Sequence, residues 1–392
     1  MKRVLFLISI IFFSSNTFAA KQLSQEAKIS LLTCSPGKGE VYTIYGHSAI
    51  RVKDDLYNID SVFNYGTFDF NTPNFYLKFA NGNLNYFLSV RSFKGFLQSY
   101  FHNEQSVWEQ ELNLSQEEKQ KLFNALVLNT QPENRFYRYD FFFDNCATRI
   151  RDIVLDNIDG TVSYRDTTEK VSSFRSYIHE YEAKMPWVLQ GLDILLGLKT
   201  DDPAYLHDQM FLPDYLMLYF SKALKHNGEE KVGLVKEMQP LLKFENNEDQ
   251  NKAISPTLVF WLLLLVSLLI LVYELRLRKK PLMIFNRIIF FVTGLVGVLI
   301  LFLMFISHHA VTGENFNIMW ALPTFLILAV LPLNRYRTNF IKYLLIFSLS
   351  TLFLFLAAWF IIPQQLPPMV FPIAILLFVR LALLYRYIFQ QK

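Results

Sequence analysis

The feature that most constrains this chain is a break in composition near residue 250. Nearly all the acidic residues lie before it, whereas from Ser255 onward Leu, Ile and Phe dominate and Glu274 and Glu314 are the only carboxylates. A stretch this apolar cannot present a water-facing surface and reads as a bundle of membrane spans. Apolar segments at 256–273, 288–306, 318–333, 343–362 and 369–389 make five candidate spans. The first and third are short against the roughly 20 residues that cross a bilayer. Positive charge orients them. Arg276, Arg278, Lys279, Lys280 and Arg287 fall between spans one and two, Arg335, Arg337 and Lys342 between three and four, and Arg386 and Lys392 at the end of span five. The loops 307–317 and 363–368 hold no Lys or Arg. The excess of Lys and Arg on cytoplasmic loops puts the three basic faces, and the C-terminus, in the cytoplasm.

The other end of the chain agrees. Lys2 and Arg3 precede a ten-residue apolar core at 4–13 and a small, polar stretch ending at Ala19 and Ala20, the pattern of a cleaved signal peptide over 1–20. The segment that follows is therefore expected outside the cytoplasm. The net charge of +4 is small, and there is no long basic run or nucleic-acid motif, so a nucleic-acid partner is set aside.

Within the soluble part, VYTIY, HSAIRV, LYNID, FNYGTFDF and LNYFLSV alternate as strands, with turns at 53–55 and at Asn81-Gly82. Residues 98–101 and 107–114 continue the strand pattern. LSQEEKQKLFNALVLNT is an amphipathic helix with Ser115 as N-cap and Glu118 completing a capping box. The expectation is a mixed sheet followed by helices over 21–158. A helical extension then runs over 159–250, through residues 171–183, MPWVLQGLDILLGL and MFLPDYLMLYFSKAL, covering the core in preference to forming an acyl-chain groove. Residues 245–252 read as a linker to the membrane domain at 255–392.

The chemistry concentrates at FFFDNCATRIRD, residues 141–152, and GHSAIRV, residues 46–52. Asp144 and Asn145 are good N-cap residues, and Ile150, Val154 and Ile158 share a helical face, so Cys146 falls in the first helical turn. The helix dipole and the nearby Arg149 and Arg151 favour a thiolate there, which marks Cys146 as a candidate nucleophile. His47, just ahead of a strand, is the candidate base. The bland reading stands beside it: two cysteines in an exported domain commonly form a disulfide, and Cys34, in the turn-like TCSPGKG, is the available partner. Asn64, Asp69 and Asp60 could orient the histidine, and Asn64 would do so without adding charge. Asn145 and Arg149, beside the cysteine, are candidates for contacting substrate. In the outer loop after span two, His308, His309, Glu314, Asn315 and Asn317 lie at the level of lipid headgroups, where polar groups are often functional. The adjacent His308 and His309 lack metal-ligand spacing.

The strings LLTCSPGKGEVYTIYGHSAIRV, FNYGTFDF and YRYDFFFDNCATRIRD resemble the Lnb family, which pairs a periplasmic N-terminal domain with a membrane domain. His309, Asn315, Asn317, Trp320 and Pro323 fit the H…N-x-N…W…P pattern of its membrane part. The order histidine, strands, then Asn-Cys at a helix start also resembles the permuted papain-like thiol enzymes of the NlpC and lecithin:retinol acyltransferase type. The resemblance implies an α+β, permuted papain-like periplasmic domain followed by an all-α, polytopic inner-membrane domain of about five spans. It further implies lipoprotein N-acylation in Gram-negative bacteria of the Bacteroidota type, without a cofactor. Cys146, His47 and Asn64 would be catalytic, and Asn145, Arg149, His309, Asn315 and Asn317 would bind substrate. A phospholipid would be the acyl donor and a lipoprotein N-terminus the acceptor. The alternatives are a cell-wall cysteine peptidase or amidase, and a disulfide-bonded envelope protein without activity.

Overall fold

The computed structural model describes residues 21–37, 43–165, 171–228, 230–245, 253–278, 280–331 and 338–390. The signal-peptide reading at 1–20 and most of the 245–252 linker lie outside them, as do Lys279, Arg335, Arg337 and Lys392.

A seven-stranded sheet forms the base of the first domain. Its strands are β1 (Lys28–Cys34), β2 (His47–Asp54), β3 (Ile59–Thr67), β4 (Asn85–Ser92), β5 (Val107–Leu112), β6 (Phe136–Arg138) and β12 (Val235–Leu242), in the order β12-β5-β1-β2-β3-β4-β6. Every pairing is antiparallel, so the expected mixed sheet is corrected. The physical reason is connectivity: β2 and β3 meet through the four-residue turn 55–58, and no crossover returns a strand in parallel to its neighbour. Cys34 ends β1 rather than sitting in a turn, because KISLLTC is buried on both faces and pairs with both β2 and β5. The strand expected at 98–101 is helical, inside α2 (Phe93–His102), started by the Ser92 cap.

Helices cover the sheet: α1 (Phe75–Ala80), α3 (Gln116–Asn129), α4 (Cys146–Leu155), α5 (Phe174–Glu182), α6 (Pro186–Leu195), α7 (Leu206–Gln209) and α8 (Pro213–Lys222). The capping box at Ser115 and Glu118 is present as expected. Helix α4 buries Ala147, Ile150 and Val154 with Ile50, Val52, Phe63 and Tyr65 of β2 and β3. Burial of each such aliphatic side chain is worth about 1.5–3 kcal/mol, which fixes where Cys146 sits.

The stretch 159–250 is only partly helical. β7 (Thr161–Tyr164), β10 (Ala223–Asn227) and β11 (Glu230–Gly233) make a three-stranded sheet, β8 (Ser172–Ser173) pairs β9 (Pro203–Ala204), and β12 joins the main sheet beside β5. The separate helical extension is therefore corrected: its last strand completes the first domain's sheet, satisfying the outer edge of β5.

Among the described residues, four helices are long and apolar enough to cross a membrane: α9 (Pro256–Tyr273), continuing to Leu277, α10 (Met283–Phe305), α12 (Asn339–Ala357) and α13 (Val370–Tyr385), continuing to Gln390. The third expected span is broken into a 3-10 turn (Phe316–Met319) and the six-residue α11 (Phe325–Val330), with Pro323 between them. It lies along α10 through two glycines: a Cβ on Gly297 would come within 1.9 Å of the Ala321 carbonyl, and one on Gly294 within 2.8 Å of Leu326. At the far end Arg287 donates to the Leu331 carbonyl at 2.9 Å. Irregular backbone is tolerated at this depth because the neighbouring helix packs against it.

Candidate functional site

The site forms where β2 begins and α4 begins. Gly46, at φ +76°, turns the chain into β2; a Cβ there would come within 2.6 Å of the Cys34 carbonyl, so the approach requires glycine. His47 is the next residue. Opposite it, Asn145 caps α4. Its Oδ1 accepts the N–H groups of Ala147 (2.7 Å) and Thr148 (2.9 Å), and its Nδ2 donates to the carbonyls of Phe141 (2.7 Å) and Phe211 (2.8 Å). Four hydrogen bonds on one buried amide hold the first residue of the helix, Cys146, in place.

The Cys146 sulfur and the His47 ring are close enough for each to shift the other's titration. His47 Nε2 also meets Asn64 Oδ1 at 3.4 Å, while Asn64 Nδ2 donates to the Val62 carbonyl at 3.3 Å, which turns the amide oxygen toward the ring. Burial works against the imidazolium, but the negative sulfur and the Asn64 contact outweigh burial and hold His47 above its ordinary range. Burial likewise works against the thiolate, yet the neighbouring His47, with smaller help from the Ser48 and Ala147 backbone, holds Cys146 below its ordinary value. The arrangement favours a thiolate–imidazolium pair, a nucleophile with a proton carrier in contact.

The two cysteines are unbridged. Cys34 packs with Leu32, Ala49, Val62, Phe96 and Val107, away from the main core in which Cys146 lies. Burial pushes the Cys34 thiol up, against a hydrogen bond with Tyr100, so it is an inert thiol and the disulfide expectation does not describe this structure.

Of the three candidates for the third group, only Asn64 reaches His47: Asp60 pairs with Arg51 (2.7 Å), and Asp69 accepts from Asn71 in its own turn. The proposed substrate contacts have framework partners. Arg149 forms a two-bond pair with Asp144 (2.5 and 2.7 Å) and lies 3.5 Å over the Tyr137 ring. Asn315 donates to the Ile194 carbonyl at 2.8 Å, and Asn317 donates to that of Asp193 at 3.1 Å while accepting from Trp320 Nε1. His309 meets the Phe79 carbonyl at 3.0 Å. The outer loop is therefore a joint that seats α6 and the following turn on the membrane helices. Gln364 from the second outer loop completes it, donating to Leu196 and Asn315. At its centre Arg175, fully buried, pairs with Asp193 (2.6 Å) and Asp201 (2.7 Å).

The sequence reading missed that centre, the Ser48 N–H, and Tyr139, whose ring borders Gly66 beside Cys146. It also missed a buried set inside the membrane part, where Arg380 bonds both oxygens of Glu274 (2.7 Å each) and Asn286 (2.6 Å). A charged residue inside an apolar span was the signal that could have found it.

Fold and site together define a membrane protein whose antiparallel sheet domain carries a paired cysteine and histidine and is seated on its own helical base. Two family models divide the chain in the same way, one described as the Lnb N-terminal periplasmic domain over residues 15–180 and the other as the Lnb transmembrane domain over residues 248–392. The chain belongs to the Lnb family. No curated protein and no solved structure matches it significantly.

Proposed function

We propose that this protein is a lipoprotein N-acyltransferase of the inner membrane, with its sheet domain in the periplasm and its C-terminus in the cytoplasm. The observation that carries the reading is the Cys146–His47 pair at the start of α4, in a domain seated directly on spanning helices. The order of its parts agrees with the permuted papain-like likeness. The Cys146 thiolate attacks the acyl-ester carbonyl of a phospholipid. As the carbon–oxygen bond breaks, the imidazolium of His47 gives its proton to the departing glycerol oxygen, leaving a lyso-lipid and an acyl thioester. The free amine of a diacylglyceryl-cysteine lipoprotein then attacks the thioester, His47 takes the amine proton, and the thiolate leaves. Asn64 acts as a positioning residue that holds the ring. The Cys146 N–H, at the start of α4, is the natural donor to the oxyanion, since those of Ala147 and Thr148 are taken by the Asn145 cap. These steps need no cofactor.

The test is mass spectrometry of a lipoprotein N-terminal peptide from cells lacking the protein, complemented with wild type, Cys146→Ser or His47→Ala. Restoration by wild type alone, with all three proteins accumulating, is the expected result. Restoration by either variant removes the assignment, and unchanged acylation on deletion turns attention to cell-wall peptides as substrates.

A further inference from the structure

The six residues of α1, FYLKFA, bury none of their side chains. Tyr76 is 81% exposed, Leu77 65% and Phe79 51%, and Phe70 just ahead is 58% exposed. A helix this short and apolar, anchored to the core through Phe75 alone, has little to hold it in water, and an apolar patch of this kind marks an interaction surface. Its attachment says what covers it. The Asn81 carbonyl accepts the His308 N–H at 2.9 Å, and the Phe79 carbonyl is bonded to His309 Nε2. Gly82, at φ +68°, allows the close approach: a Cβ there would lie 3.2 Å from backbone atoms of His308 and His309. His308 follows shortly after Phe305, the last residue of α10, which with Ile306 is widely exposed on the apolar outer end of that span. Helix α1 is thus stitched to the end of a spanning helix, level with surface that lipid must cover. Trp187, half exposed, donates Nε1 to the Ile254 carbonyl just before α9 and marks the same level, as an amphipathic ring at a lipid–water boundary does. Lys78, the one charge on α1, has the long stem that lets its head return to the headgroups.

From that patch a run of rings leads inward. Phe75 lies 5.8 Å from Phe68, Phe68 5.4 Å from Tyr86, and Tyr86 4.5 Å from Tyr139, centroid to centroid. Tyr139 and Cys146 then border the same glycine, Gly66.

We infer that α1 is immersed in the outer leaflet and that a phospholipid acyl chain follows this ring path to Cys146. The immersion stands on the geometry alone; the route rests on the acyltransferase reading above.

The full-length protein with Cys146→Ser, in phospholipid nanodiscs, carries a nitroxide at Tyr76→Cys or Leu77→Cys, with Leu56→Cys on the β2–β3 turn as control. Collision rates with oxygen and with a water-soluble nickel chelate measure depth. Oxygen-favoured labels at 76 and 77 and a nickel-favoured label at 56 are expected; nickel-favoured labels at all three overturn the immersion. With Cys146 intact, the double variant Tyr76→Asp, Leu77→Asp should lose about tenfold or more in transfer from bilayer phospholipid, while alkylation of Cys146 by iodoacetamide proceeds as in wild type. Unchanged transfer overturns the route. Immersed labels in a protein whose wild type transfers no acyl chain sustain the immersion and remove the acyltransferase reading.

Discussion

Gly66 lies against Cys146: a Cβ built on it would stand 3.6 Å from the Cys146 Cβ and 3.4 Å from the Tyr139 ring, and its φ is +82°. Gly66→Ala meets no hard clash, so its stability cost is that of a left-handed alanine, about 1–2 kcal/mol. The added methyl crowds the Cys146 side chain. Acyl transfer should therefore fall further than the lost stability explains, as chemical denaturation and a transfer assay run on one preparation would reveal. Full transfer by the folded variant counts against this effect of the crowding.

The depressed Cys146 and the raised His47 set the pH window. Lowering the thiol and raising the imidazole both act to let thiolate and imidazolium coexist. Iodoacetamide should therefore alkylate wild type below the pH at which an ordinary thiol reacts. His47→Ala leaves burial as the leading influence and moves that midpoint upward, while Asn64→Ala gives an intermediate shift. Coincident profiles for wild type and His47→Ala would show that the two side chains are not paired.

Glu182 accepts a hydrogen bond from Tyr45, two residues from His47, and burial pushes its carboxyl up from 4.5 to about 7. The folded protein holds this proton where the unfolded chain has released it, so stability falls as pH rises from about 4.5 to about 7. The loss is at most about 3 kcal/mol and is complete above that range. Glu182→Gln should match wild type at pH 5 and melt higher at pH 8. Equal melting of the two proteins at pH 8 contradicts the assignment.

Arg175 ties the domain joint, with Asp193 and Asp201 depending on it. Arg175→Met leaves two carboxylates without their cation and should cost about 3–5 kcal/mol. Arg175→Lys keeps the charge but loses the fork, so it should fall between. Thermal melts in detergent rank the three, and a melt of Arg175→Met at the wild-type temperature would exclude the joint as a source of stability.

Arg380 and Glu274 form a second buried pair, inside the membrane part. Removing either alone strands a charge, whereas Arg380→Met with Glu274→Met removes both. The double variant should be more stable than the less stable single, with a coupling of about 0.5–3 kcal/mol. Additive losses would mean that the pair acts only through packing.

Much of this architecture is visible in short stretches of the chain. The four long helices follow from windows of apolar residues, α3 from Ser115 and Glu118, and the placement of Cys146 from Asp144-Asn145 ahead of an apolar helical face. Each depends on neighbours within a turn or a bilayer's width, so local periodicity and capping suffice. The break in the third expected span has a local signal in Pro323, which ends a helix, but the close fit of the broken segment against Gly294 and Gly297 is tertiary.

Local patterns establish the division into a sheet domain and a membrane domain, and the candidates Cys146 and His47. Tertiary structure alone decided that β12 returns to the main sheet, that Cys34 is a buried free thiol, and that Asn64 rather than Asp60 or Asp69 meets the histidine. It also decided that Asn315 and Asn317 join the two domains. Strand pairing and the satisfaction of buried polar groups depend on partners far apart in the chain, 124 residues for Asn317 and Asp193 and 230 for His309 and Phe79. No local pattern carries information about which distant carbonyl will be there.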